Sequence, residues 1–345
     1  MAFEFVALQA SEQQNLIRFL VTTFRADPSL VSFRPEVVNW KYFSRHPEWT
    51  SPRSYAAKEN GQIVAHGGIW PVDLNTLQGR IKAIHLIDWA ATRSAVGAGV
   101  YLLRKLASLN HVLLTIGGSP DTRSLLPKLG YKSCGELKQY ARVIRPWSHF
   151  RTSPARDWKA RAKFIRNSLE ALKGIPPAPR AWHASRLAHF DETHAAILEN
   201  GGEIKSAARS AAGWNHLLGC PAAAFSAFLI TRGHEPCGYF VFSKIGKQVR
   251  IVDLRVRGDR DSWRAAAILA ARTAASDPEV CEIVAASSVG PVQDAWRQSG
   301  FAQRRVDPIF CFDAQKILTP DSSLDLNLAD GDQCFLHDPE SPYVS

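Results

Sequence analysis

The stretch Ala83–Tyr131, AIHLIDWAATRSAVGAGVYLLRKLASLNHVLLTIGGSPDTRSLLPKLGY, decides how the rest of the chain is read. Ala83–Ala91 is an apolar run, which predicts a buried strand. Thr92–Gly99 is a loop of small residues with Gly97 and Gly99 two apart. Val100–Leu109 places Leu102, Leu103, Leu106 and Leu109 at helical spacing, and His111–Ile116 reads as a second apolar strand. A short helix then runs to Leu129-Gly130-Tyr131. Glycines let a backbone approach a ligand closely, and a helix start offers unpaired N–H groups with partial positive charge. Such a loop suits a diphosphate, while a tight strand-to-helix turn is the other reading of a lone G-x-G.

The order of elements resembles the core of the GNAT acyl-CoA N-acyltransferases, whose signature looks like D-x-x-x-H-P-x-x-R-G-x-G followed by N-x-x-A-x-x-L-Y-x-K-x-G-F. Here the first part stands as Asp88-Trp-Ala-Ala-Thr92-Arg93-Ser-Ala-Val96-Gly97-Ala-Gly99 and the second as Ser119-Pro-Asp-Thr-Arg-Ser-Leu-Leu126-Pro-Lys128-Leu-Gly130-Tyr131. The aspartate, the glycines and the K-x-G-aromatic end match. Val96 replaces a basic residue, Ser119 the asparagine, and Leu126 the tyrosine that in many members protonates the leaving thiolate. The resemblance implies acetyl-CoA or another acyl-CoA as co-substrate. It places the diphosphate on Gly97, Ala98 and Gly99, with Arg93 and Ser119 beside it, and the donor to the thioester carbonyl around Trp89, Ala90 and Ala91.

The family's reaction needs a base for the attacking ammonium. His85 is the candidate, since it titrates near neutrality and by strand alternation shares a face with Ala83, Ile87 and Trp89. A hydrogen-bonded core histidine is the plainer reading. Asp88 should point to the opposite face, as a second catalytic candidate or a structural carboxylate. Trp40, Tyr42, His66 and Trp70 are candidates to line the acceptor groove, or core packing residues.

Working outward, Phe3–Leu8 reads as a strand, Ser11 and Gln14 as a capping box opening a helix to about Arg25, and Pro35 as the start of a helix ending before Pro47. A hairpin turns at Asn60-Gly61, another turn falls at Gln78-Gly79, and Lys132–Val143 returns as strand. Pro176-Pro177 and Pro179 mark a boundary, after which the pattern repeats. Trp40 precedes Pro47 by seven residues and Trp214 precedes Pro221 by seven. Helices are expected at Asp191–Asn200 and Ser206–Leu218 and a hairpin about Arg232-Gly233. Asp253 in RIVDLRV answers Asp88 in HLIDWAA, and Gly300-Phe301 answers Gly130-Tyr131. The second half has no G-x-G.

The expected fold is therefore α/β (α+β), two tandem GNAT-like domains, each a mixed, mostly antiparallel sheet flanked by helices. Residues 1–145 form the acyl-CoA-binding domain, 146–179 a basic helical linker, 180–316 a second domain without a diphosphate loop, and 317–345 a tail that frays after one added strand. The arrangement also resembles polysaccharide-cluster acyltransferases and the Fem-type transferases, without the latter's coiled-coil arm. In the linker, Trp158, Ala162, Ile165, Leu169 and Leu172 fall at helical spacing among nine cations in Arg142–Lys173. The expected helix packs its apolar side on the domains and leaves the basic face in water, with a membrane surface or RNA as alternatives.

Six scattered cysteines without a C-x-x-C pair suit reduced thiols in a cytoplasm, and no spanning helix, signal peptide, metal constellation, P-loop or G-x-S-x-G is legible. The net charge of +10 favours anionic partners in general. The function these signs imply is transfer of an acyl group, acetyl foremost, to a small-molecule primary amine such as an amino sugar or an amino-acid-like metabolite. An aminoacyl-tRNA-dependent transferase and a GNAT-like binding scaffold are the alternatives. Nucleic acid is otherwise not expected as a partner, and the oligomeric state is not legible.

Overall fold

The computed structural model describes residues 2–76, 79–109, 112–198, 205–318 and 324–345. Gln78 of the expected turn, His111 at the head of a strand and Asn200 at a helix end lie outside them. In chain order the strands are β1 (Glu4–Ala7), β2 (Ser54–Glu59), β3 (Gln62–Pro71), β4 (Leu74–Thr76), β5 (Gly79–Ile81), β6 (Ala83–Ala91), β7 (Val112–Ile116), β8 (Lys132–Val143), β9 (Trp182–Leu187), β10 (Lys205–Ala207), β11 (Ala224–Arg232), β12 (Glu235–Ile245), β13 (Gln248–Val256), β14 (Glu282–Ser287), β15 (Ala302–Phe312) and β16 (Leu324–Asp325).

Twelve of these form one sheet, in the order β1-β2-β3-β6-β7-β15-β8-β14-β13-β12-β11-β9. The repeat is plain: β2, β3, β6 and β7 are answered by β11, β12, β13 and β14. The last strands are exchanged. β15 of the second half lies between β7 and β8, and β8 of the first half pairs with β14. Within this sheet β6 pairs with β7, and β13 with β14, in parallel; the other ladders are antiparallel. The helix Ala98–Ala107 covers one face through Leu102, Leu103 and Leu106, which pack with Ile84, Leu86 and Leu113. On the other face Leu16, Leu20, Val37 and Tyr42 pack with Ile87 and Trp70, in a core that continues through Trp214, Tyr239 and Val284 into the second half.

Four local expectations change. The first capping box joins Gln9 and Glu12 around a single turn that precedes the helix Gln13–Phe24. Ser206 and Ala207 belong to β10, pairing with β4 and β16, so the following helix spans only Ala211–Leu218. The tail does not fray: Ser345 is buried, and the Glu282 carboxylate accepts from the Val344 and Ser345 amides. The linker forms the helices Pro146–Thr152 and Trp158–Leu172, but the second buries Ala160 and Asn167 and leaves Trp158, Ile165, Leu169 and Leu172 exposed.

The two glycine-aromatic pairs close helical turns with left-handed glycines, Gly130 at φ +89° and Gly300 at φ +83°. Their surroundings differ. A methyl group on Gly130 would make ordinary contact with Phe312, whereas one on Gly300 would lie 1.7 Å from Nη1 of Arg142. That guanidinium, carried on the exchanged strand β8, donates to the carbonyls of Ser299 and Gly174. Gly130→Ala should therefore cost only the left-handed penalty of about 1–2 kcal/mol. Gly300→Ala should cost clearly more, since it also evicts Arg142. Chemical denaturation of both variants checks this, and equal losses would contradict it.

Candidate functional site

The parallel pairing of β6 with β7 ends after Ala83↔Val112, Ile84↔Leu113 and His85↔Leu114. Beyond His85 the strands separate. Ile116 gives its amide hydrogen to Nε2 of His85, at 3.3 Å, in place of a strand carbonyl. Nδ1–H of the same ring donates to the Asp330 carbonyl at 2.8 Å. His85 is thus a buried wedge at the fork with both nitrogens engaged, and burial pushes its pKa down. This is the core-histidine reading; a proton could be taken up only by giving up one of these bonds.

Three residues past the wedge, β6 bulges. His66 faces Ala90 and Gly68 faces Ile87, so Asp88 and Trp89 together oppose Gly67. Asp88 takes φ +46°, a left-handed conformation that aspartate tolerates better than most residues. The bulge breaks strand alternation and corrects the facing expected from it. Trp89 turns towards the helix Ala98–Ala107, its indole N–H donating to Gly99 O at 3.2 Å. Asp88 turns to the side of His85.

There Asp88 accepts from Lys41 Nζ at 2.5 Å and from the Tyr42 hydroxyl. Lys41 also binds Asp332 of the tail at 2.6 Å. Consecutive residues reach the same carboxylate because Asn39–Phe43 forms a widened turn, with the Ser44 amide bonded back to Asn39 O. Burial alone would raise the Asp88 carboxyl, but the Lys41 charge and the Lys41 and Tyr42 hydrogen bonds hold it below the usual range. Burial alone would likewise lower Lys41, and Asp332 and Asp88 hold it well above its ordinary value. The Asp88 carbonyl is held too, by Nδ1–H of His66 at 3.1 Å, while His66 Nε2 accepts from the Ser54 hydroxyl at 3.0 Å. His66 is fully buried and braces the bulge; it does not line a groove.

Asp88, Lys41 and Tyr42 stand at one end of a groove of about 660 Å³ that crosses the sheet to the second half. Its far end holds Gln248 and Arg250, with Arg304, Arg305 and the tail residues Gln333 and His337 along it. Arg250 donates to two neutral acceptors, Gln248 Oε1 and Gln333 O, and feels the Glu282 carboxylate beyond Gln248. Trp40 and Trp70 lie elsewhere, in a smaller cavity of about 70 Å³ between the halves, with Trp40 stacked on His216 and Trp214 on the same wall.

On the other side of the fork, Gly97 (φ +86°) opens the helix Ala98–Ala107, whose start has no side-chain cap. Nothing lies within 4 Å of a methyl group placed there. Gly99 has a different reason: its Cβ would sit 3.2 Å from that of Ala91, so it lets the helix approach β6. Ala98 and Ala90 are buried, Arg93 and Val96 exposed on the loop. Ser119 follows two left-handed glycines, Gly117 and Gly118, and its hydroxyl caps the next helix by accepting from the Thr122 amide. Leu126 is fully buried in the core.

The second half has the same fork. Parallel pairing of β13 with β14 ends at Ile251↔Ala285, and β13 carries an extra residue, Val252. Here the tail fills it. Leu326 O accepts from the Ser288 amide, Asn327 binds Asp253, and Asp325 binds Arg255. Asp253 also accepts from Arg209 at 2.8 Å and from Tyr239 at 2.9 Å, and Arg209 holds Asp330 at 2.7 Å. Among the described residues no group of three potential ligands could hold a metal ion. Lys41, Arg209 and the tail aspartates are what sequence reasoning missed. One sign was available: Lys41 lies four residues after the buried Val37, on its face of the helix.

His66 makes stability depend on pH. Burial pushes it from 6.5 to about 4. The unfolded chain takes up the proton from about 6.5, the folded one only near 4, so the stability is present above 6.5 and lost as pH falls through that window. The loss is about 3 kcal/mol. Denaturation midpoints between pH 7 and pH 4 should fall, and less steeply in His66→Gln.

No protein-family model and no curated protein matches the chain. Solved structures do. A GCN5-related N-acetyltransferase from Anabaena variabilis aligns at TM-score 0.59 and 13% identity over 90% of this chain and 72% of its own. Saccharomyces cerevisiae N-myristoyltransferase, solved with myristoyl-CoA and inhibitors, aligns at 0.59 and 12% over 93% and 83%. A tandem GNAT protein from the clavulanic acid biosynthesis pathway aligns at 0.54 and 11% over 90% and 98%. With the fork, the bulge and the repeated half, these likenesses make the fold of this chain that of the GNAT superfamily, in its tandem form.

Proposed function

We propose that the chain is an acyl-CoA-dependent N-acyltransferase, with the acyl donor in the first half and the acceptor amine in the groove across both halves. The observation that carries this is the open fork of β6 and β7 at the Asp88 bulge. It joins an uncapped helix start on one side to a polar groove on the other. The second half, its fork filled by the tail, shapes the groove and takes no donor.

In the reaction the amine nitrogen bonds to the thioester carbon, the C–S bond breaks and CoA leaves as thiolate. Gly97 and the first turn of the helix Ala98–Ala107 receive the diphosphate through backbone N–H groups, and Arg93 adds the nearest cation on that loop. Backbone amides of the bulge, Asp88–Ala90, polarise the carbonyl. Asp88, ionised by its setting, holds the acceptor's amine and takes the proton that its nitrogen sheds as the C–N bond forms. Since Leu126 is in the core, the usual tyrosine has no substitute at that position. A carboxylate at one end of the groove and Arg250 at the other, with Arg305 (paired with Asp307) along it, suit an acceptor with both an amine and an acidic group. This favours an amino-acid-like metabolite over a neutral amino sugar. The same arginines and the net charge of +10 favour tRNA as the second reading.

Isothermal titration with acetyl-CoA and longer acyl-CoAs should show micromolar binding. Gly97→Val should abolish it, since a side chain there occupies the anion's approach. Salt-sensitive tRNA binding without CoA binding would reverse the order of the two readings. In the acylation assay Asp88→Asn should lower kcat by about 10²–10⁴-fold. Unchanged turnover would remove Asp88 from the mechanism.

A further inference from the structure

Seven large hydrophobic residues are exposed among those described, and five belong to the linker between the halves: Trp147, Trp158, Ile165, Leu169 and Leu172. They are not scattered. At about 100° per residue, Trp158, Ile165, Leu169 and Leu172 fall within about 60° of one another on the helix Trp158–Leu172. They lie opposite the buried Ala160 and Asn167. Leu172 is 82% and Trp158 73% exposed, so none of the described residues covers the stripe. Trp147 stands beside it, its ring against Phe164.

Cations border this stripe. Lys159, Arg166 and Lys173 run along one flank and Arg161 along the other, and Arg151, Arg156 and Lys163 are exposed nearby. The two acids of the segment offset them little, Glu170 bearing on Arg166 alone of the named flank. Asp157 caps the helix by accepting from the Ala160 amide, and Glu170 pairs with Arg304 of β15. An apolar stripe with uncompensated cations on both flanks and tryptophans beside it matches a helix lying in a bilayer interface. A second copy of the chain would bring the same cations against these. No described helix is long and apolar enough to cross a membrane, so the contact is superficial.

We propose that the linker helix docks the protein on an anionic lipid surface, with Trp158, Ile165, Leu169 and Leu172 in the headgroup–acyl boundary and the flanking lysines and arginines on lipid phosphates. The test uses the full chain with vesicles of phosphatidylcholine, alone or mixed with phosphatidylglycerol, read by co-sedimentation and tryptophan emission. Binding to the mixed vesicles with a blue shift, weakened by salt, is expected. The double variant Ile165→Glu with Leu169→Glu should bind about tenfold more weakly or less, at an unchanged thermal midpoint, because both side chains are in water in the native fold. Three results would overturn the proposal: no binding to the mixed vesicles, equal binding by the variant, or equal binding to phosphatidylcholine alone. So would self-association of the wild type that the same variant abolishes without any vesicle binding, which would assign the stripe to a second copy.

Discussion

A carboxylate largely withdrawn from water must be paired, and this fold repeats one in each half. Asp88 and Asp253 occupy matching places on β6 and β13, and each sits beside a cation and a tyrosine: Lys41 with Tyr42, Arg209 with Tyr239. Each cation also binds a carboxylate of the tail, Lys41 with Asp332 and Arg209 with Asp330. Two adjacent turns of the tail thus face opposite halves. Removing Lys41 leaves Asp88 and Asp332 facing each other without their cation, at a cost of about 3–5 kcal/mol. The position of the tail, and with it the filled fork of the second half, follows from this requirement.

How much of this was legible in the sequence depends on the range of the interaction. The strands, the glycine loop, the repeat and the pairing of Asp88 with Asp253 rest on local spacing, and they emerge from it. Strand alternation misplaced Asp88 and Trp89 because one inserted residue shifts every side chain beyond it to the other face. The bulge depends on His66, Tyr42 and Lys41 from other elements, and no periodicity reports them. The same holds for His85, whose partners Ile116 and Asp330 lie 31 and 245 residues away. In the linker the helical spacing was right but its direction was wrong. Spacing identifies an apolar side; only the neighbours decide whether it faces protein or water.

The two halves also show how one fold can be open in one copy and closed in the other without a change in topology. Both forks arise from a parallel ladder that stops short beside a bulge. In the second, Asp325, Leu326 and Asn327 take up the groups that separation frees. In the first, His85 does so at the apex, with the Asp330 carbonyl on its other nitrogen. The groove then belongs to both halves, since Asp88 closes one end and Arg250 the other.

The exchange of final strands has a consequence for synthesis. β7 is complete at Ile116, but its partner residue on β15, Ile309, leaves the ribosome 193 residues later. At typical elongation speeds that is roughly 10–40 seconds. Throughout it, the edge of β7 offers unpaired amides and apolar side chains to any passing strand. The nascent protein therefore passes through a long interval as a half-built sheet. Its yield in the cell should depend on what shelters that edge until the last eighth of the chain arrives.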